Sequence, residues 1–255
     1  MTRKIFVRPV LLLVLAGTLV LASCDNFFSD SWGTARSYDP DKITLTDGNL
    51  DLWIKNARGN PELAAAITRK IIDEIRNKSG AEKVKFQEAG MKLAVEASGV
   101  GASIISSAAD VINKLENNED SAIKDILSKI QSDFASGGPG AASNIADLVT
   151  VSSSNTPAVD PGYAAAASAS DIGMATMVLA LAVMEKKGIN AATVDDLEIN
   201  HLTTIPITYS GGDFTVDSSA TKEERALAAY LNLISHDSRF DDNPLTSGIK
   251  GAFKG

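Results

Sequence analysis

Apolar residues recur at steps of three and four along most of this chain, the spacing of one face of an α-helix. Leu50, Trp53, Ile54 and Ala57 predict a short first helix from about Thr46, stopped at Gly59. Asn60 then offers an N-cap oxygen, and Pro61 sits in the first turn, where a missing N–H costs nothing. Leu63, Ile67, Ile71 and Ile75 follow as one apolar stripe. After the interruption at Asn77 to Gly80, Ser79 and Glu82 have capping-box spacing. The third helix they open carries Phe86, Ala89, Leu93, Ala94 and Ala97 on one face, and Gly99 and Gly101 end it. A fourth helix is predicted from Ala102 to Leu115 and a fifth from Asp120 to Phe134. The run Ser136-Gly137-Gly138-Pro139-Gly140 reads as a flexible break, with a short helix near 142–149 and a Ser/Thr/Pro loop beyond it.

Asp160 and Pro161 repeat the cap-then-proline signal ahead of the most apolar stretch after the N-terminal region, Tyr163 to Lys187. Its uninterrupted part, Ile172 to Met184, is too short to span a bilayer, so it predicts a buried helix. The small residues Ala164 to Ala169 and Gly173 would let neighbouring helices approach closely. Thr193 and Asp196 predict one helical turn. The alternation from Thr204 to Tyr209, the turn Ser210-Gly211-Gly212 and the segment Asp213 to Asp217 predict a hairpin, with Pro206 confining its first strand to an edge. Thr221 and Glu224 form a second capping box before Leu227, Tyr230, Leu231 and Ile234, and the polar tail from Asp237 reads as loosely held. The expected fold is all-α, an irregular helical bundle or α-solenoid with a small β-hairpin near 203–217.

The N-terminus has a different character. Arg3, Lys4 and Arg8 precede an apolar run from Val10 to Ala22, which has the length of a signal-peptide core. Leu21-Ala22-Ser23-Cys24 closes that run and resembles the lipobox of bacterial lipoproteins. The resemblance implies cleavage before Cys24 and diacylglyceryl on its sulfur, making Cys24 the lipidation site and the mature N-terminus. The alternative is a soluble secreted protein whose single cysteine falls here. Asp25 resembles the enterobacterial signal for retention in the inner membrane, a rule other bacteria do not follow, so membrane and leaflet stay open. The expected organisation is a signal peptide over 1–23, a lipidated cysteine and tether over 24–45, a helical domain over 46–237 and a polar tail over 238–255. The tether is polar and turn-rich apart from Phe27, Phe28 and Trp32, which would settle in the lipid interface or dock on the domain.

Two further resemblances bear on the helical part. Between Lys83 and Glu116, Phe86, Ala89, Gly90, Leu93, Ala102 and Ala109 resemble one degenerate tetratricopeptide repeat. Ser106 replaces the expected aromatic and Lys114 the terminal proline, and no second copy follows at the repeat length. A lipobox ahead of an acidic, alanine-rich helical domain also resembles lipoproteins abundant in spirochaetes. One such group works with substrate-binding proteins of transporters, but no residue can be carried over from it.

Charge and composition narrow the function classes. The formal net charge is −8, and loss of residues 1–23 would remove three of the cations. Such an acidic chain repels phosphate backbones and anionic head groups, which argues against nucleic acid and leaves membrane attachment to lipid. One cysteine permits no internal disulfide, and 5% aromatic content argues against a carbohydrate-binding platform. His236 with Asp237, Asp241 and Asp242 offers metal-ligand chemistry without a known ligand spacing, and His201 is the other histidine. Ser121 with Lys124, and Ser219 with Lys222, share the Ser-x-x-Lys spacing of penicillin-binding enzymes. Ser153 and Asn155 could mimic the second motif of those enzymes, but no Lys-Thr-Gly strand follows. Gly137, Gly138 and Gly140 lack the lysine that completes a phosphate loop. No catalytic, metal or cofactor residue is therefore assigned. The expectation is a non-catalytic envelope lipoprotein that binds a protein partner. A small-molecule-binding accessory of a transporter, with a pocket along Tyr163 to Lys187, is the alternative, and a hydrolase the remote one.

Overall fold

The structure, a computed structural model, describes residues 42–101, 120–149, 151–152, 154–188, 205–243 and 246, and only the helical backbone at 120–129, 135 and 136. The lipobox, Cys24, the tether to residue 41, His201, the predicted helix Ala102–Leu115 and the turn at Thr193 lie outside these residues. What is described is mostly helical with one two-stranded antiparallel sheet. The helices are α1 (Leu50–Ala57), α2 (Pro61–Ile75), α3 (Gly80–Ala97), α4 (Asp120–Leu148), α5 (Pro161–Ala166), α6 (Ala169–Lys186) and α7 (Lys222–His236). The strands β1 (Ile207–Ser210) and β2 (Asp213–Val216) precede α7.

Several ends form as the sequence dictates. Asn60 Oδ1 accepts from the Leu63 N–H at 3.0 Å, Pro61 occupies the first turn, and the Leu63, Ile67, Ile71 and Ile75 stripe is buried. The box at Thr221 closes both ways, with the Thr221 N–H donating to Glu224 Oε2 at 2.7 Å and the Glu224 N–H to Thr221 Oγ1 at 3.4 Å. The hairpin turns through Gly211 and Gly212, both at positive φ, a backbone that glycine adopts without penalty. Its strands start later than expected, at Ile207 beyond Pro206, and pair Ile207 with Val216 through Ser210 with Asp213.

Four expectations need correction. The box at Ser79 does not form: Gly80 enters α3 at φ +56°, the Ser79 side chain makes no cap hydrogen bond, and Glu82 pairs instead with Lys78 at 2.6 Å. The break at 136–140 is helical, because α4 continues through Pro139 to Leu148. Packing overrides propensity there: Ile130 and Phe134 on one side, and Ala141, Ala142, Ile145, Leu148 and Val149 on the other, are buried. The helix expected over Tyr163 to Lys187 is two helices, since Ser168 leaves the helical conformation and its Oγ caps α6 by accepting from the Asp171 N–H at 3.1 Å. The tail is docked at its start. A 3₁₀ turn over Ser238–Phe240 buries Phe240, and the buried Thr246 donates its hydroxyl to the Phe240 carbonyl.

One hydrophobic core joins these elements, from Ile43 and Leu45 to Phe240, so packing extends past both expected limits of the helical domain. Helix α3 lies against α1, α2, α4, α5 and α6, while α4 also meets α2, α6 and α7. Gly90 shows why α3 comes so near its neighbours: a Cβ there would run into Leu148 of α4 and stand 2.9 Å from Ile71 of α2. Ile172 to Leu179 of α6 are all buried, and among the described residues no helix is long and apolar enough to cross a membrane. Ion pairs join the helix ends, Lys187 to the buried Glu224 at 3.0 Å and Lys222 to Asp147 at 2.6 Å. The hairpin packs through β2 onto α7.

Candidate functional site

The candidate site is an open cleft of about 500 Å³, within the range of small-ligand sites, between the second half of α7 and the segment leading into α5. Its walls are apolar: Ala158, Val159, Pro161 and Ala164 on one side, Ala229 and Leu233 on the other. Asn232, His236, Asp237 and Ser238 supply the polar groups.

Asn232 positions these walls. It is 6% exposed, on the helix face it shares with the buried Ala228 and Ala229. Its Oδ1 accepts from the Phe214 N–H at 2.7 Å, and its Nδ2 donates to the Phe214 carbonyl at 2.8 Å and the Pro157 carbonyl at 3.0 Å. One amide thus occupies the outer edge of β2 as a neighbouring strand would, and ties the loop before α5 to the same point. The Val216 N–H donates to the Asn155 carbonyl at 2.8 Å, giving β2 a second partner on that edge. Full satisfaction matters here, because a buried polar group without a partner costs about 1–3 kcal/mol.

The far wall is fixed by charge and caps. Arg239 holds Asp237 through Nε and Nη2 and donates to the carbonyls of Ala165 at 2.9 Å and Ala164 at 2.7 Å, closing the end of α5. Its guanidinium holds the Asp237 carboxyl below the ordinary carboxylate range. At the start of α5, burial pushes the Asp160 carboxyl up, but Lys83 at 3.3 Å and the N–H groups of Gly162 and Tyr163 outweigh it and lower its pKa. The phenols of Tyr163 and Tyr230 are fully buried in the core. Burial pushes both upward, and the Tyr230 hydroxyl lies 3.9 Å from Met91 Sδ.

His236 Nε2 stands 3.2 Å from Asp213 Oδ1, with both side chains about half exposed. The pair links α7 to the hairpin turn at the surface. Ser238 lines the same cleft, yet among the described residues no hydrogen bond joins it to His236. Asp237 is taken by Arg239 rather than turned toward His236, and among the described residues no group of three or more His, Cys, Asp or Glu could hold a metal ion. The Ser-x-x-Lys pair at Ser219 is divided, since Ser219 Oγ donates to Asp217 at 2.6 Å and Lys222 goes to Asp147. Side chains of Ser121 and Lys124, and Ser153, lie outside the description; Asn155 serves β2 through its backbone. The glycines at 137, 138 and 140 are helical and form no loop.

The sequence reading missed Asn232. The sequence offered no signal for it, since position 232 lies off the Leu227, Tyr230, Leu231 and Ile234 stripe, on the side of Ala228, Ala229 and His236, and its burial there comes from the hairpin and the loop before α5. The expected pocket along Tyr163 to Lys187 is also displaced. Most of α6 is core, and the cleft borrows only Ala164 from that stretch. Comparison with family models, curated proteins and solved structures finds no match to this chain.

Proposed function

We propose that this chain is a bacterial envelope lipoprotein, anchored through lipid on Cys24, whose helical domain is a non-catalytic interaction or accessory module. The observation that carries the reading is the order of basic residues, apolar run and Leu21-Ala22-Ser23-Cys24. Packing of the domain from Ile43 is compatible with it. Residues 25–42 then connect the lipid to the fold and allow a reach of at most about 60 Å. Two acyl chains hold a protein far more firmly than one, and confinement at a membrane raises its effective concentration near envelope partners.

The open cleft with apolar walls suits the side chains of a protein partner. Contacts between α2 and α4, and between α4 and α7, favour a closed bundle over a repeat array in which each unit meets only its sequence neighbours. A small-molecule-binding accessory of a transporter is the second reading, favoured by the size of the same cleft. The test has two parts. Cells fed an alkyne-bearing fatty acid should label the wild-type protein and leave a Cys24→Ser variant unlabelled; equal labelling would remove the lipid anchor. A photo-crosslinking residue at Leu233 should then trap one reproducible protein in intact cells. A small molecule retained through purification, with no protein adduct, would put the transporter reading first.

A further inference from the structure

Helix α4 passes through Gly137, Gly138, Pro139 and Gly140, four residues in succession that oppose helix. Each glycine disfavours the helical state about fivefold relative to alanine, and a proline more than a hundredfold. Pro139 also has no N–H to give to the preceding turn. Two of the four have packing reasons. A Cβ on Gly138 would run into the ring of Phe134, which lies back over its own helix, and a Cβ on Gly137 would stand 3.0 Å from the Ala97 carbonyl oxygen. The other two have none. Pro139 is exposed, and a Cβ on Gly140 would meet nothing within 4 Å. Neighbours do not require glycine there and helix formation disfavours it, so backbone freedom is what it supplies.

Each flank carries buried side chains of its own. Beyond the glycines, Ala141, Ala142, Ile145, Leu148 and Val149 are buried, and the Leu148 carbonyl accepts from Gln87 Nε2 at 2.9 Å. Before them, Ile130 and Phe134 are buried, and Phe134 rests on Gly138. We propose that α4 is hinged at Gly137–Gly140, with Phe134 on Gly138 as the latch of the closed state and an open state that uncovers Ile130 and Phe134. The device gives the domain an apolar surface that exists in one state only.

Residue-level amide hydrogen exchange of the full chain under native conditions tests this. The hinge requires the amides of residues 137, 138 and 140–142 to exchange faster than those on both sides, at 124–134 and at 143–148. Gly140→Ala should slow exchange at 137–142 about fivefold, by its gain in helix preference. Phe134→Ala should speed it while 143–148 keep their protection. Uniform protection across the helix, exchange that rises steadily toward Asp120 as in end fraying, or a Gly140→Ala variant indistinguishable from wild type would each overturn the hinge. Gly140→Ala introduces no clash, so this part of the test holds even where Phe134→Ala fails to fold.

Discussion

Asn232 is the side chain whose removal should cost most for its size. Asn232→Ala deletes three hydrogen bonds at once, those to the Phe214 N–H, the Phe214 carbonyl and the Pro157 carbonyl. Phe214 is 2% exposed, so water reaches its backbone groups poorly. At about 1–3 kcal/mol for each group left without a partner, and allowing that one carbonyl recovers one, the loss is about 2–6 kcal/mol. That is a large part of the stability of an ordinary domain. Asn232→Asp separates the contributions. It keeps an acceptor for the Phe214 N–H but faces two carbonyls with a carboxylate in a buried place, so its folded-state pKa is raised above the unfolded value. The sign follows: the variant is most stable below the unfolded carboxylate pKa, where the protonated acid can donate to one carbonyl, and loses stability as pH rises through the raised pKa. Urea denaturation at a series of pH values measures both. A loss under about 1 kcal/mol for the alanine variant would refute the edge-strand role of Asn232, and a pH-independent aspartate variant would refute its burial.

Other consequences follow from single contacts. Burial raises the Glu96 pKa, and the Gly59 N–H, which donates to Glu96 Oε1 at 2.7 Å, only partly opposes this. The ionised Glu96 therefore weakens the fold at neutral pH; Glu96→Gln should raise the melting temperature there, with the advantage shrinking as pH falls through the carboxylate range. Gly90→Ala should cost about 1–3 kcal/mol through overpacking against Leu148 and Ile71, and much of the loss should vanish in a Leu148→Ala background, as a double-mutant cycle in urea would show. Lys187→Ala leaves the buried Glu224 without its cation; with the lysine about one-third exposed, a loss of about 1–3 kcal/mol in chemical denaturation is expected, and Lys187→Arg should restore most of it.

The helices were legible wherever a local signal had no tertiary rival. Asn60-Pro61 and Thr221 with Glu224 give their caps through atoms three residues apart, which a sequence displays directly. Ser79 with Glu82 has the same spacing and fails, because Gly80 follows the cap at φ +56° rather than with helical backbone and because Lys78 takes the carboxylate. Gly137 to Gly140 mislead in the other direction. Their local preference is for a break, yet the ring of Phe134 and the carbonyl of Ala97 occupy the space that side chains at 138 and 137 would need. The two failures differ in cause: Gly80 stands in open space and is used for its backbone at φ +56°, whereas Gly137 and Gly138 are settled by the tertiary and side-chain neighbours that approach them. The cleft was harder to see for a related reason. Its walls come from the segment before α5, from α5 itself, from α7 and from the turn after it, and Asn232 ties the first to the third through bonds that span 75 residues to Pro157. Such a site has no linear spacing to detect. The proposed lipobox is the opposite case, since the residues that resemble one are contiguous, which is why lipidation of Cys24 is the most specific proposal the sequence carries while the cleft's occupant must be sought by crosslinking at Leu233.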